Sequence, residues 1–134
     1  MNFSSHSQLS TFRAKLDRKE LVIGTWINVI KDPMIIKMIS GVGLDYVMID
    51  MEHSGATMAS ISEMCMMARA CGLYHMVRPA EPNDLKMNGR LMDAGAMGLG
   101  IHTIHRADQA TAGVNSASVF NAGTRGQRTT KPRS

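Results

Sequence analysis

The chain offers two cysteines, Cys65 and Cys71, for covalent bracing, and no CxxC pair. They fall six residues apart in one helical pattern and cannot bridge each other there. A disulfide framework is therefore excluded, and a reduced setting fits. Aromatic residues are scarce: one Trp, two Tyr and three Phe stand against thirteen Met. A core built from this stock is filled by flexible methionine rather than anchored by rings. No apolar run is long enough to cross a membrane and no apolar N-terminal leader is visible, so the expectation is a cytoplasmic protein with no membrane partner. Acid is missing from the C-terminal tail, where Arg125, Arg128, Lys131 and Arg133 account for the formal charge of +4. The body before it is near neutral, and no aromatic is interleaved with those charges, so no nucleic-acid partner is expected.

At 134 residues the chain is long enough for one domain with a real core. The stretch Tyr46-Val47-Met48-Ile49-Asp50-Met51-Glu52-His53-Ser54 stands out because an apolar run ends in two acids and a histidine. Short and partly β-branched, it reads as a buried strand over 45–51. Around it the pattern alternates. Met1–Ser10 is polar and expected to be loose, and Thr11–Glu20 reads as a charged helix. Leu21–Ile27 reads as a strand. Asp32-Pro33 signals a helix start, with Asp as the cap, and Gly41 and Gly43 end that helix. Met58, Ile61, Met64, Cys65 and Ala68 form an apolar face of a helix opened by Thr57 and stopped by Gly72. Tyr74–Val77 is a third strand, closed by Arg78-Pro79. Asp84–Met92 is a third helix of this series, with Gly95 as its C-terminal cap. Met97–Ile101 is a fourth strand, and Ala107 to about Ala117 a further helix weakened by Gly113 and Asn115.

Strands alternating with helices imply βαβ units and a parallel sheet. About four such units follow a leading helix, which is either a small open α/β sheet or half of a (β/α)8 barrel. The expected organisation is a partial barrel domain over 1–123 and a disordered basic tail over 124–134, where no apolar residue remains.

In such folds chemistry gathers where the strands end. Those ends bring up Trp26, then Asp50, Glu52 and His53, then Arg78, with Asp93 in the following helix. A His, an Arg and several carboxylates on one rim make an acid–base site for an anionic substrate. Each residue also has a plainer reading: Asp50 and Glu52 as a satisfied polar rim, Arg78 as a surface arginine, Asp93 as a solvated helical residue, Trp26 as packing. His102 and His105 form an HxxH spacing, but without a helix under them or a third ligand they do not read as a metal site. His6 and His75 have no evident partner.

Gly24-Thr25-Trp26, Gly43-Leu44-Asp45-Tyr46, Ile49-Asp50-Met51-Glu52-His53-Ser54, Val77-Arg78-Pro79 and Leu91-Met92-Asp93-Ala94-Gly95-Ala96 occur in order. Together they resemble the metal-dependent, pyruvate-utilising aldolases of the 4-hydroxy-2-oxoheptane-1,7-dioate type, in the citrate lyase β-subunit superfamily. The match runs from about Phe12 to Gly98, and more faintly to Gly123-Thr124-Arg125-Gly126. The resemblance implies a (β/α)8 barrel that cleaves or forms a C–C bond beside a 2-oxo acid, in a cytoplasmic homo-oligomer of the kind used in aromatic-compound catabolism. It implies His53 as the base for a 4-hydroxyl, Asp93 raising its basicity, and Arg78 binding the 2-oxo acid. Trp26 would line the pocket, with Asp50 and Glu52 in support. It also implies a divalent metal (Mg, Mn or Co) held by a Glu and an Asp from later strands, which this chain does not reach. The expectation is thus a truncated aldolase without its metal ligands. After Leu99 the family's hydrophobic strand ending in Val-Pro is replaced by Gly100-Ile101-His102-Thr103, and its Tyr-Pro-Pro by Val119-Phe120-Asn121. The alternative is a non-catalytic remnant or half-barrel with a binding or structural role.

Overall fold

In the computed structural model, which describes residues 5–118, helices α1 (Ser5–Asp17), α2 (Met34–Ile39), α3 (Met58–Ala70), α4 (Leu85–Asp93) and α5 (Ala107–Ala117) alternate with strands. The strands are β1 (Gly24–Ile27), β2 (Tyr46–Asp50), β3 (Tyr74–Arg78) and β4 (Gly98–Leu99). They form one parallel sheet in the order β1-β2-β3-β4. That order is decisive. Parallel crossovers are right-handed, so a sheet that always grows toward the same side puts every crossover helix on one face. A doubly wound sheet must reverse somewhere. This one does not, and of the two architectures left open by the sequence it is the singly wound, barrel-type one.

The helix-facing side is the core. Val47, Ile49 and Val77 from the sheet meet Ile36, Ile61, Met64, Cys65, Ala68 and Leu91 from the helices. Each fully buried Ile or Leu contributes about 2 kcal/mol. α3 behaves as its spacing predicts. Ile61, Met64, Cys65 and Ala68 are buried, and Thr57 and Ser60 cap it reciprocally. α5 crosses α4 through the buried Asn88–Ser116 hydrogen bond of 3.1 Å. Gly113, a weak helix former, is there because a Cβ would lie 2.6 Å from Ile101 Cδ1.

The opposite face has no crossover helix and is built in rows. Parallel register sets Tyr46 beside Tyr74, Met48 beside Met76 and Asp50 beside Arg78. One face therefore reads aromatic, then methionine, then ionic along the strands. The flanking strands supply room: a Cβ on Gly24 would lie 2.4 Å from the Tyr46 ring, and one on Gly98 2.8 Å from the Tyr74 hydroxyl. At the aromatic row α1 closes the sheet. Phe12 stacks on Tyr74 with centroids 4.2 Å apart and meets Tyr46 edge-on at 5.8 Å.

Several boundaries differ from the sequence reading. Helical structure begins at Ser5, within the segment expected to be loose, because Gln8 donates to Arg69 O (3.0 Å) and Phe12 docks on the sheet. It ends at Asp17, with Lys19 at φ 55°. β1 starts at Gly24 rather than Leu21, since Leu21 and Ile23 are exposed and pairing begins at Gly24–Tyr46. Pro33, not Asp32, holds the cap position of α2, although Asp32 Oδ1 still accepts from Met34 N–H at 2.9 Å. β4 is two residues long rather than five. The basic tail, Gly123-Thr124-Arg125-Gly126 and Val119-Phe120-Asn121 lie outside the described residues. No helix among the described residues is long and apolar enough to cross a membrane.

Candidate active site

β2 and β3 end in register, so Asp50 and Arg78 project from the same face at the same height. Arg78 donates to Asp50 through both prongs, Nε to Oδ1 at 2.8 Å and Nη2 to Oδ2 at 2.6 Å. The Asp50 side chain is wholly buried. An isolated carboxylate there would be prohibitively desolvated. Arg78 resolves this and holds the Asp50 carboxyl below its usual range, helped by the N–H groups of Glu52 and His53. The Glu52 N–H reaches Asp50 Oδ1 at 2.9 Å in a local turn. Ser54 Oγ–H closes the same loop by donating to Asp50 O.

The turn places Glu52 over the pair. Its Oε2 meets Arg78 Nη1 at 3.0 Å and His53 Nε2 at 3.5 Å. Its Oε1 meets His102 Nε2 at 3.1 Å. The guanidinium also lies over the Trp26 ring, 4.5 Å from its centroid, a cation–π contact that holds the fork flat. Two of the five guanidinium N–H groups are thus hydrogen-bonded, and Nη1 is ion-paired with Glu52. That leaves an N–H on each terminal nitrogen, which suits a carboxylate or an enolate oxygen. The His53 side chain is 66% exposed and open to a ligand.

Asp50, Glu52, His53, Arg78 and Trp26 are therefore brought together as the sequence suggested. Asp93, which the resemblance gives the role of raising the basicity of His53, stands elsewhere in the fold. It ends α4, which runs back from the rim, so it lies at the starting end of the strands, two residues from Gly95, whose carbonyl meets His75 Nε2 at 2.9 Å. His75 itself is not partnerless. It is fully buried, its Nδ1 lies 3.1 Å from Leu73 O, and burial pushes its pKa down. The residue that sequence reasoning passed over is His102. Its HxxH spacing with His105 does not carry the signal; its place just past the end of β4 does, because a strand-end residue there faces the rim.

A divalent cation does not fit these residues. Asp50 is committed to Arg78, and Glu52 is shared among Arg78, His53 and His102. Among the described residues no group of three His, Cys, Asp or Glu is arranged to hold a metal.

A family model described as HpcH/HpaI aldolase/citrate lyase matches residues 23–132. The chain is 28% identical over 90 residues to a 4-hydroxy-4-methyl-2-oxoglutarate aldolase of Hapsidospora irregularis, covering 67% of this chain and 33% of that protein. It is 30% identical over 103 residues to a hydroxypyruvate/pyruvate aldolase of Roseovarius nubinhibens, covering 75% and 38%. Among solved structures, an HpcH/HpaI aldolase from Desulfitobacterium hafniense superposes with a TM-score of 0.79 at 30% identity, covering 86% of this chain and 44% of that one. The chain thus spans between 33% and 38% of the length of these curated relatives.

Proposed function

Because the chain belongs to the HpcH/HpaI aldolase/citrate lyase family, we propose that its rim carries the proton-transfer half of a pyruvate-type aldolase site. The substrate class is a 4-hydroxy-2-oxo acid, and the products are pyruvate and an aldehyde. His53 takes the proton of the 4-hydroxyl, the C3–C4 bond breaks, and its electron pair passes to the 2-oxo oxygen as an enolate. Arg78 donates its two remaining N–H groups to that oxyanion or to the adjacent carboxylate. A proton returned to C3 releases pyruvate. Asp50 and Glu52 hold Arg78, and Trp26 forms the wall of the pocket. The observation that carries this reading is the Asp50–Arg78 pair, locked in register at the strand ends with His53 exposed beside it. The relatives' names support the substrate class. The homo-oligomer that the family resemblance implies belongs to the same proposal, as does a divalent metal whose ligands would come from outside the residues of this rim. Exposed Leu21, Val29, Met38 and Val42 supply apolar surface for a subunit contact.

The test is pyruvate release from a 4-hydroxy-2-oxo acid by the purified chain, with and without Mg²⁺, Mn²⁺ or Co²⁺. His53→Ala should reduce it at least about a hundredfold, as expected for loss of a general base. The exposed position of His53 leaves folding intact. Equal turnover in the His53→Ala variant, or none in the unaltered chain under any of these conditions, overturns the proposal.

A further inference from the structure

Glu52 is a hub whose two oxygens have different duties. Oε2 faces Arg78 and His53, and Oε1 faces His102. His102 is largely buried, and its Nδ1 is enclosed with no hydrogen-bond partner. That fixes its tautomer. A buried lone pair without a donor costs less than a buried N–H without an acceptor. His102 therefore carries its proton on Nε2, the nitrogen that lies 3.1 Å from Glu52 Oε1.

The backbone next to it is strained. Thr103 has φ 54°, a left-handed conformation that a β-branched residue rarely adopts. Such strain persists where the surroundings over-determine a position, and it gathers at functional sites. The strained residue directly follows His102, whose imidazole lies against Glu52.

His53 lacks comparable support. It is exposed, and Glu52 is the side chain that orients it. The contact of 3.5 Å is long, as such contacts often are before a ligand closes them. It works only if the carboxylate cannot rotate away.

We infer that His102 is a positioning residue, which by facing Glu52 Oε1 with its Nε2–H holds the carboxylate so that Oε2 keeps the proton of His53 on Nε2 and leaves His53 Nδ1 to take the substrate's hydroxyl proton. This deepens the aldolase reading and rests on it for the role of His53. No covalent change occurs at His102. Its proton stays on Nε2 throughout, and it acts through Glu52.

Two substitutions of similar size separate this role from packing. His102→Gln keeps an N–H donor near the reach of Nε2, whereas His102→Asn moves the donor back to the reach of Nδ1. The first readout is ¹⁵N-histidine NMR of the full chain at neutral pH, which reports the tautomer of His53 without any substrate. The unaltered chain and His102→Gln should show His53 almost wholly protonated on Nε2. His102→Asn should drift toward the mixture shown by a free imidazole. The second readout is turnover: His102→Asn should lower kcat about tenfold with KM within twofold, and His102→Gln should restore most of it. An unchanged His53 tautomer in His102→Asn, or equal loss in both variants, overturns the inference. If the unaltered chain releases no pyruvate, the functional proposal falls, while the NMR comparison still decides the role of His102.

Discussion

The same two strands end in opposite ways. At their starting end Tyr46 and Tyr74 meet Phe12 of α1, a closed aromatic plug. At their finishing end Asp50 and Arg78 meet Glu52, His53 and His102, an open ionic rim. Between them lies the methionine row, Met48 and Met76, which commits to neither. The difference teaches how one parallel sheet divides its labour. Apolar closure tolerates imprecise geometry, so it is placed where nothing must enter. Charge pairing demands register, so it is placed where β2 and β3 are still hydrogen-bonded and Met51 N–H reaches Arg78 O at 3.0 Å. In barrel-type folds the finishing ends carry chemistry and the starting ends carry stability.

The rim is the end most sensitive to substitution. Arg78→Leu leaves the buried Asp50 carboxylate without its partner and should cost about 3 kcal/mol or more of stability, read from urea denaturation. Neutralising both partners with Asp50→Asn in the same chain should recover part of that loss. A rim that tolerates Arg78→Leu alone would show that the ionic row is ornamental. At the other end, Phe12→Ala should cost about 2 kcal/mol, because Phe12 is partly buried and loses its stack on Tyr74. It should leave the His53 NMR signals unmoved, and a shift there would mean that the two ends are coupled.

Acidification should separate the two ends next. Burial keeps the His75 pKa below the ordinary imidazole value of 6.5. The unfolded chain therefore gains a proton that the folded chain resists, and stability falls as pH drops below about 6.5. His75→Gln should flatten the melting temperature against pH in that window. Asp50 acts lower on the scale. Arg78 depresses its pKa, so its contribution is present above about pH 4 and is lost as pH falls through the folded value. The smallest effect should come from Thr103→Gly. Relief of the φ 54° strain should raise stability by about 1 kcal/mol or slightly less, by thermal melt, while loosening His102. Lower stability in that variant would show that Thr103 is not strained.

Much of this was legible in the sequence because periodicity and punctuation are local. The α3 face, the Thr57 cap and the alternation of strands with helices follow from short-range rules. Asp50, Glu52, His53 and Arg78 were legible as strand-end residues. Three things were not. α1 is held by Phe12 and Gln8 reaching residues more than fifty positions away, which no local pattern encodes. The place of Asp93 depends on α4 running back from the rim to the starting end of the strands, which the role implied by resemblance does not encode. His102 was hidden because the strand before it is only two residues long, so its place on the rim depends on how Gly100 pairs with Val77 (2.9 Å) rather than on any apolar run.

The glycines that border the rows have a consequence for how such a sequence can drift. At Gly98 a new Cβ would sit 2.8 Å from the Tyr74 hydroxyl and 3.0 Å from Met76 Cγ, and at Gly100 2.8 Å from Met48 Cε. Volume on this face is therefore a shared quantity. A methyl gained at position 98 meets the hydroxyl of tyrosine at 74, and phenylalanine there removes that clash while leaving the one with Met76. The order in which two such changes occur decides whether a lineage passes through a damaged intermediate. Neighbouring strands are bound in this way by mutational history as well as by hydrogen bonds.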